Sequence, residues 1–249
     1  SMCLTALYMA LQKKSARSMI LFGMALSFKL QTVFFLPALL PLWLRKDIKL
    51  RHLALIPAAY MAMMIPAFWG GKSLHHALTV YTAQASTYNF MTVNGPSLYN
   101  FLPASMDRGM LYTMFSGMAM ALGMAMLAIV CLMVCLHREH ITREGTLLTC
   151  LLVLGGVPFF LPKMHERYTF GADVLALAIA AYNPKRVWLP LLFGLSSYIC
   201  YTAGLPGDAI FDLKWATVFQ GAAVALTAAA LYRSLNEEKA EAALAEVKA

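Results

Sequence analysis

From Leu111 to Leu136 the chain runs without one charged residue, and no other feature restricts its fold as much. A helix rises about 1.5 Å per residue, so such a block crosses the roughly 30 Å of a bilayer's hydrocarbon core. Inside hydrocarbon the backbone must satisfy its own polar groups, which makes the block a helix. Further apolar blocks run from Leu53 to Trp69, Thr146 to Leu161, Thr169 to Tyr182, Val187 to Ala203 and Trp215 to Leu231, and a longer one from Ser18 to Leu44. Only 13% of the residues are charged, against about a quarter in soluble domains. The expected fold is therefore an all-α polytopic membrane protein with about seven to nine transmembrane or half-membrane helices. Residues 1–233 form the expected transmembrane helical domain, with an external loop at 70–108 and a cytoplasmic tail at 234–249. Ser1 to Leu11 is too short to cross and lacks the basic flank of a signal peptide. It is expected to be the end of a helix, leaving the chain N-terminally truncated.

The net charge of +8 does not point to nucleic acid, because the basic residues fall in short clusters between apolar blocks. Clusters at 13–17, 45–51, 138–143 and 185–186, with Arg233, Lys239 and Lys248, hold all basic residues but Lys29, Lys72, Arg108, Lys163, Arg167 and Lys214. Placing the clusters in the cytoplasm satisfies the positive-inside rule. The block 18–44 must then begin and end on the same side. Two half-length helices broken at Ser27-Phe28-Lys29-Leu30-Gln31 meet that condition; one long tilted helix would put a basic cluster outside.

This arrangement puts the loop Gly70 to Arg108 and the turn Pro162 to Tyr168 together on the external side. The turn gathers His165, Glu166, Arg167 and Tyr168. An arginine there could hold a phosphate bidentately, with the glutamate orienting it and the histidine donating or shuttling a proton. The plainer alternative is a solvated loop that marks the membrane edge. Lys29 and Gln31 either snorkel to the interface or bring a second cation toward the same phosphate. Asp173 is expected to pair structurally with Lys29 or Arg167.

Ser73 to Tyr88 has a helical period, with Leu74, Ala77, Leu78 and Tyr81 on one side, which predicts an interfacial helix. Asn94-Gly95-Pro96 predicts a turn, after which Leu98, Tyr99, Phe101 and Leu102 dip into the interface. Adjacent His75 and His76 lack ligand spacing, and the i, i+4 pair Cys131 and Cys135 is expected to be two buried small residues. No CxxC pair occurs among the five cysteines, so neither a zinc site nor a disulfide framework is expected. Small residues at Gly117 to Ala119, Ala121 to Met124 and Gly155-Gly156 predict close helix packing.

Two strings carry a family resemblance: Ala25-Leu26-Ser27-Phe28-Lys29-Leu30-Gln31 followed by Phe34-Phe35-Leu36-Pro37, and Leu161-Pro162-Lys163-Met164-His165-Glu166-Arg167-Tyr168. Together with Asn94-Gly95-Pro96-Ser97-Leu98-Tyr99, they resemble the bacterial integral-membrane glycosyltransferases of the GT-C superfamily. They are also similar to the lipid-phosphate-glucose glucosyltransferases of the N-glycan pathway, where a His-Glu-Lys string sits in the corresponding turn. The resemblance covers most of Ser1 to about Ala203. It implies transfer of a sugar from a polyprenyl-phosphate donor to a glycan or lipid-linked acceptor, on the external face of a bacterial cytoplasmic membrane. It implies donor-phosphate contacts from His165, Glu166, Arg167, Lys29 and Gln31, and no metal or further cofactor. The family's catalytic base is an acidic residue in the first external loop. No position here matches it, and neither Asp107 nor Asp208 takes that role. A transporter or flippase of lipid-linked sugars, binding without bond cleavage, is the competing expectation; a structural membrane subunit would leave the 162–168 string unexplained.

Overall fold

A computed structural model describes residues 2–85, 88–103, 105–204 and 210–248. Asp208, and Ser86 and Thr87 at the end of the expected 73–88 helix, lie outside them. Among the described residues five helices are long and apolar enough to cross a membrane: Leu50–Trp69, Arg108–Leu136, Arg143–Phe160, Pro184–Gly204 and Leu213–Asn236. This is the architecture of an all-α polytopic membrane protein. The chain forms two compact units, Ser1–Tyr88 and Asn89–Ala249, so the division falls inside the expected external loop.

In the first unit α1 (Met2–Leu11) and α2 (Ser15–Phe28) form an αα-hairpin, with Lys13 in the left-handed region at φ 59°. The buried Ser18 hydroxyl donates to the Ala6 carbonyl at 2.7 Å, so it carries no unpaired polar group into the core. α2 stops where Lys29 turns extended (φ −151°, ψ 132°), inside the polar cluster expected to break the block. A 3₁₀ stretch over Leu30–Ala38 and α3 (Leu39–Leu44) follow. Phe35 packs on Phe22 with ring centroids 6.5 Å apart, whereas one continuous helix would separate them by about 20 Å. Ser15 Oγ accepts from the Lys49 backbone N–H at 2.9 Å and lies 2.9 Å from His52 Nδ1. The block thus returns to the end from which it started, and the basic residues of 13–17 stand beside those of 45–51.

Residues 50–54 open a span continued by α4 (Leu55–Met63) and α5 (Ile65–Trp69). Gly23 lets α2 approach α4 closely, since a Cβ there would collide with the Ile56 carbonyl. The expected interfacial helix is α6 (Leu74–Ala85). It docks through Ala77, whose carbonyl accepts from the Tyr60 hydroxyl at 2.9 Å, and through Tyr81, whose hydroxyl donates to Leu26 O. Leu74 and Leu78, expected on the same side as these two, face outward.

The second unit is a helical bundle. β1 (Thr92–Val93) leads to α7 (Arg108–Leu136) and α8 (Arg143–Phe160); β2 (Met164–His165), α9 (Phe170–Tyr182), α10 (Trp188–Gly204) and α11 (Leu213–Lys248) follow. α11 runs through Arg233 without a backbone break, so residues 234–248 of the expected tail continue the last helix.

α8 is the central helix, with 78% of its apolar window buried against 22% for α7. Its Gly155 and Gly156 allow this, because side chains there would meet Phe193 and Met126. Gly117 has no such neighbour, so close packing there is not borne out. Nor is the burial of the cysteine pair: Cys131 is half-buried and Cys135 exposed. They join Met114, Met118, Met124, Ile129 and Leu132 on an outward apolar face suited to lipid. On α11 the exposed Trp215 and Tyr232 are about 26 Å apart along the axis, the separation of two interfacial aromatic belts.

The bundle has two distinct ends. At one, Arg186 Nε bonds Glu144 Oε1 at 2.8 Å, Asn183 donates to both oxygens of that carboxylate, and Thr142 meets Ser234 at 3.4 Å. This end collects the basic residues of 138–143, 185–186 and Arg233. The other end gathers the starts of α7, α9 and α11 and the ends of α8 and α10.

Candidate functional site

The site is built from the turn after α8. Leu161 ends that helix in extended conformation, and Pro162, which has no N–H, cannot continue it. Lys163 then adopts φ 65°, a left-handed geometry that costs a non-glycine residue roughly 1–2 kcal/mol. Its backbone N–H lies 3.2 Å from the carbonyls of both Phe90 and Met91. Its ammonium lies 3.3 Å from Asn89 Oδ1 and 4.9 Å from the Tyr112 ring centre. Lys163 is therefore a structural anchor of the turn.

Met164 and His165 pair in parallel with Thr92 and Val93, and Asn94 bridges back to His165. Asn94 is also left-handed, at φ 55°, a conformation asparagine tolerates. Gly95 is required next, because a Cβ there would lie 2.8 Å from the Met164 carbonyl oxygen. Two residue pairs make a weak ladder, and side chains reinforce it. The Tyr99 hydroxyl donates to Phe160 O at 2.6 Å; Asn100 donates to Gly95 O at 2.9 Å and to Thr217 Oγ1 at 3.0 Å; Thr217 donates to Ser97 O at 2.9 Å. At about 1 kcal/mol net each, they outweigh the backbone strain. Burial pushes the Tyr99 hydroxyl up to about 12, so it remains a donor at physiological pH.

On this frame His165 and Glu166 are buried and Arg167 is not, its side chain being 56% exposed. Glu166 Oε2 lies 3.8 Å from His165 Nδ1 and Oε1 lies 4.0 Å from Arg167 Nε. Both separations are long for charge-assisted hydrogen bonds, so the carboxylate sits between the two without being tightly held by either. Glu166 packs on the end of α10, where Gly204 leaves room for it. The His165 ring stacks obliquely on Tyr168 at 5.2 Å. Burial holds its imidazole below the ordinary histidine range; the Glu166 carboxylate opposes this and the Arg167 guanidinium adds to it. His165 is accordingly neutral at pH 7, able to donate one hydrogen bond and accept another.

The expected pairing of Asp173 with Arg167 is not formed. Asp173 Oδ1 accepts from Ser197 Oγ at 2.9 Å, and Ser197 lies 3.2 Å from the Thr169 hydroxyl. A hydroxyl pair offsets part of the carboxylate's burial at short range, whereas Arg167 points to solvent. Lys29 and Gln31 belong to the first unit and the 162–168 turn to the second. Lys29 is exposed and Gln31 half-buried at the reversal of the 18–44 block. His75 and His76 are exposed, and no cluster of three or more metal-ligating side chains occurs among the described residues.

Asn100 and Thr217 could not be singled out from the sequence, because a polar residue in a loop and a threonine in a span are each unremarkable alone. Tyr99 was expected to dip into the interface; it is buried and closes α8 instead. Comparison with known protein families, with curated proteins and with solved structures finds no match to this chain.

Proposed function

We propose that the chain is part of a membrane glycosyltransferase of GT-C type, in which the 162–168 turn receives the phosphate of a polyprenyl-phosphate sugar. One observation carries this: an exposed guanidinium, Arg167, stands beside a buried Glu166 and a buried neutral His165 on a braced turn. The turn lies at the bundle end opposite the basic cluster around Glu144 and Arg186. By the positive-inside rule that end faces out of the cytoplasm, here taken as the external face of a bacterial cytoplasmic membrane.

In the transfer, the acceptor oxygen bonds to the anomeric carbon as the bond from that carbon to the phosphate oxygen breaks. The electron pair leaves with the phosphate, and the acceptor's proton passes to a base. Arg167 neutralises the charge that grows on the leaving phosphate. Glu166 limits the directions the guanidinium can take, and His165 offers its N–H to a phosphate oxygen. The sequence resemblance supports this assignment of roles, and no residue of this chain matches the family's catalytic base.

The test is sugar transfer by the protein in membranes, comparing wild type with Arg167→Gln. The expected loss is about 10²-fold, the usual effect of removing one preorganised charge-stabilising group. Unchanged transfer would overturn the assignment. Sugar-lipid translocation without release of free polyprenyl phosphate would favour a transporter.

A further inference from the structure

Beside the turn, the second unit holds an open pocket of about 480 Å³ between the 90–103 loop and the first turns of α7 and α11. Phe90, Phe101, Leu102, Met106 and Leu111 supply its apolar wall, while Arg108, Lys214 and Asp212 stand at its polar side. We infer that this pocket holds the headgroup of an anionic phospholipid taken from the surrounding bilayer, a resident lipid distinct from the substrate assigned to Arg167.

Charge is the first argument. Two cations face one carboxylate, and that carboxylate is occupied: Asp212 Oδ1 accepts from the Lys214 backbone N–H at 2.8 Å, with Oδ2 3.9 Å from Lys214 Nζ. Arg108 is exposed and has no ion-pair partner among the described residues. Its neighbour Asp107 is engaged in capping α7, accepting from the Met110 N–H at 2.9 Å. The Asn94 amide, also in the lining, makes no side-chain hydrogen bond among the described residues.

Depth is the second. Arg108 and Lys214 occupy the first turns of two membrane-length helices, which places their charges at headgroup level. Phe101 in the lining is exposed, as are Phe211 and Trp215, the chain neighbours of the lining residues Asp212 and Lys214, and exposed aromatic residues are typical of a membrane interface. On α7 the lining residue Leu111 lies within one turn of the exposed Met110 and Met114 of the helix's outward apolar face, a surface on which acyl chains can lie. A soluble anion would have no use for that surface, and a neutral sugar none for the two cations.

Native mass spectrometry of the detergent-purified protein tests this, with phosphatidylglycerol and phosphatidylcholine of matched chains. Phosphatidylglycerol should be retained preferentially. Arg108→Gln with Lys214→Gln should weaken its binding about 25-fold, from roughly fivefold per cation. Arg167→Gln should leave it unchanged, which separates failure here from failure of the glycosyltransferase proposal. Equal retention of the two lipids by wild-type protein, loss of binding in Arg167→Gln, or displacement of phosphatidylglycerol by millimolar inorganic phosphate would each overturn the inference.

Discussion

The hydroxyl of Tyr99 donates to the carbonyl of Phe160 at 2.6 Å, tying the 90–103 loop to the end of the helix that launches the 162–168 turn. The carbonyls of a helix's last turn have no partner within the helix, so this loop tyrosine completes the helix end and fixes the turn's starting point. Tyr99→Phe keeps the ring and removes only the bond. The expected cost is about 1–2 kcal/mol, read as a lower thermal midpoint in detergent, together with weakened donor use because Arg167 is less well placed. A midpoint equal to wild type would show that the bond contributes nothing.

His165 gives the fold a pH dependence whose sign follows from its burial. Its folded pKa is held below the ordinary value of 6.5, so below that pH the unfolded chain takes up the proton more readily than the folded one. The stability from burying the neutral ring is full above pH 6.5 and falls as pH drops toward the folded pKa. Thermal midpoints at successive pH values should decline on acidification, and His165→Gln should decline less. Parallel curves for the two proteins would contradict the assignment.

The hairpin at 18–44 could be read from the residues, because hydrocarbon thickness and the placement of Lys and Arg are strong constraints on a chain of this composition. The break at Lys29 fell where Ser27, Lys29 and Gln31 interrupt an otherwise apolar block. Tertiary partners were not readable in this way. Asp173 bonds Ser197 and not Arg167, and Cys135 faces outward. Composition says that a residue is small or charged; the choice between a hydroxyl and a guanidinium as partner depends on helix rotation. Similarly, the 162–168 string was visible as a polar cluster, while the bracing by Asn100 and Thr217 depends on contacts across more than a hundred residues of chain.

The return of the 18–44 block predicts that residues 14 and 46 share one side of the membrane. In a cysteine-free background, Lys14→Cys and Lys46→Cys should both resist a membrane-impermeant maleimide on intact cells and both react after permeabilisation. Labelling of only one from outside would replace the reversal with a single tilted span.

Direct binding of the phosphate-bearing lipid tests the central proposal most sharply, since it does not depend on the sugar or the acceptor. Titration of the detergent-purified protein with a polyprenyl phosphate, and with the uncharged polyprenol of the same length, isolates the phosphate's contribution. Wild-type protein should prefer the phosphate, and Arg167→Gln should lose about 1.5–3 kcal/mol of that preference, the usual worth of a hydrogen bond to a charged group. That corresponds to roughly 10- to 150-fold in affinity. Equal affinity for the phosphate and the alcohol, or a preference that survives Arg167→Gln intact, would contradict the placement of the donor phosphate at this turn.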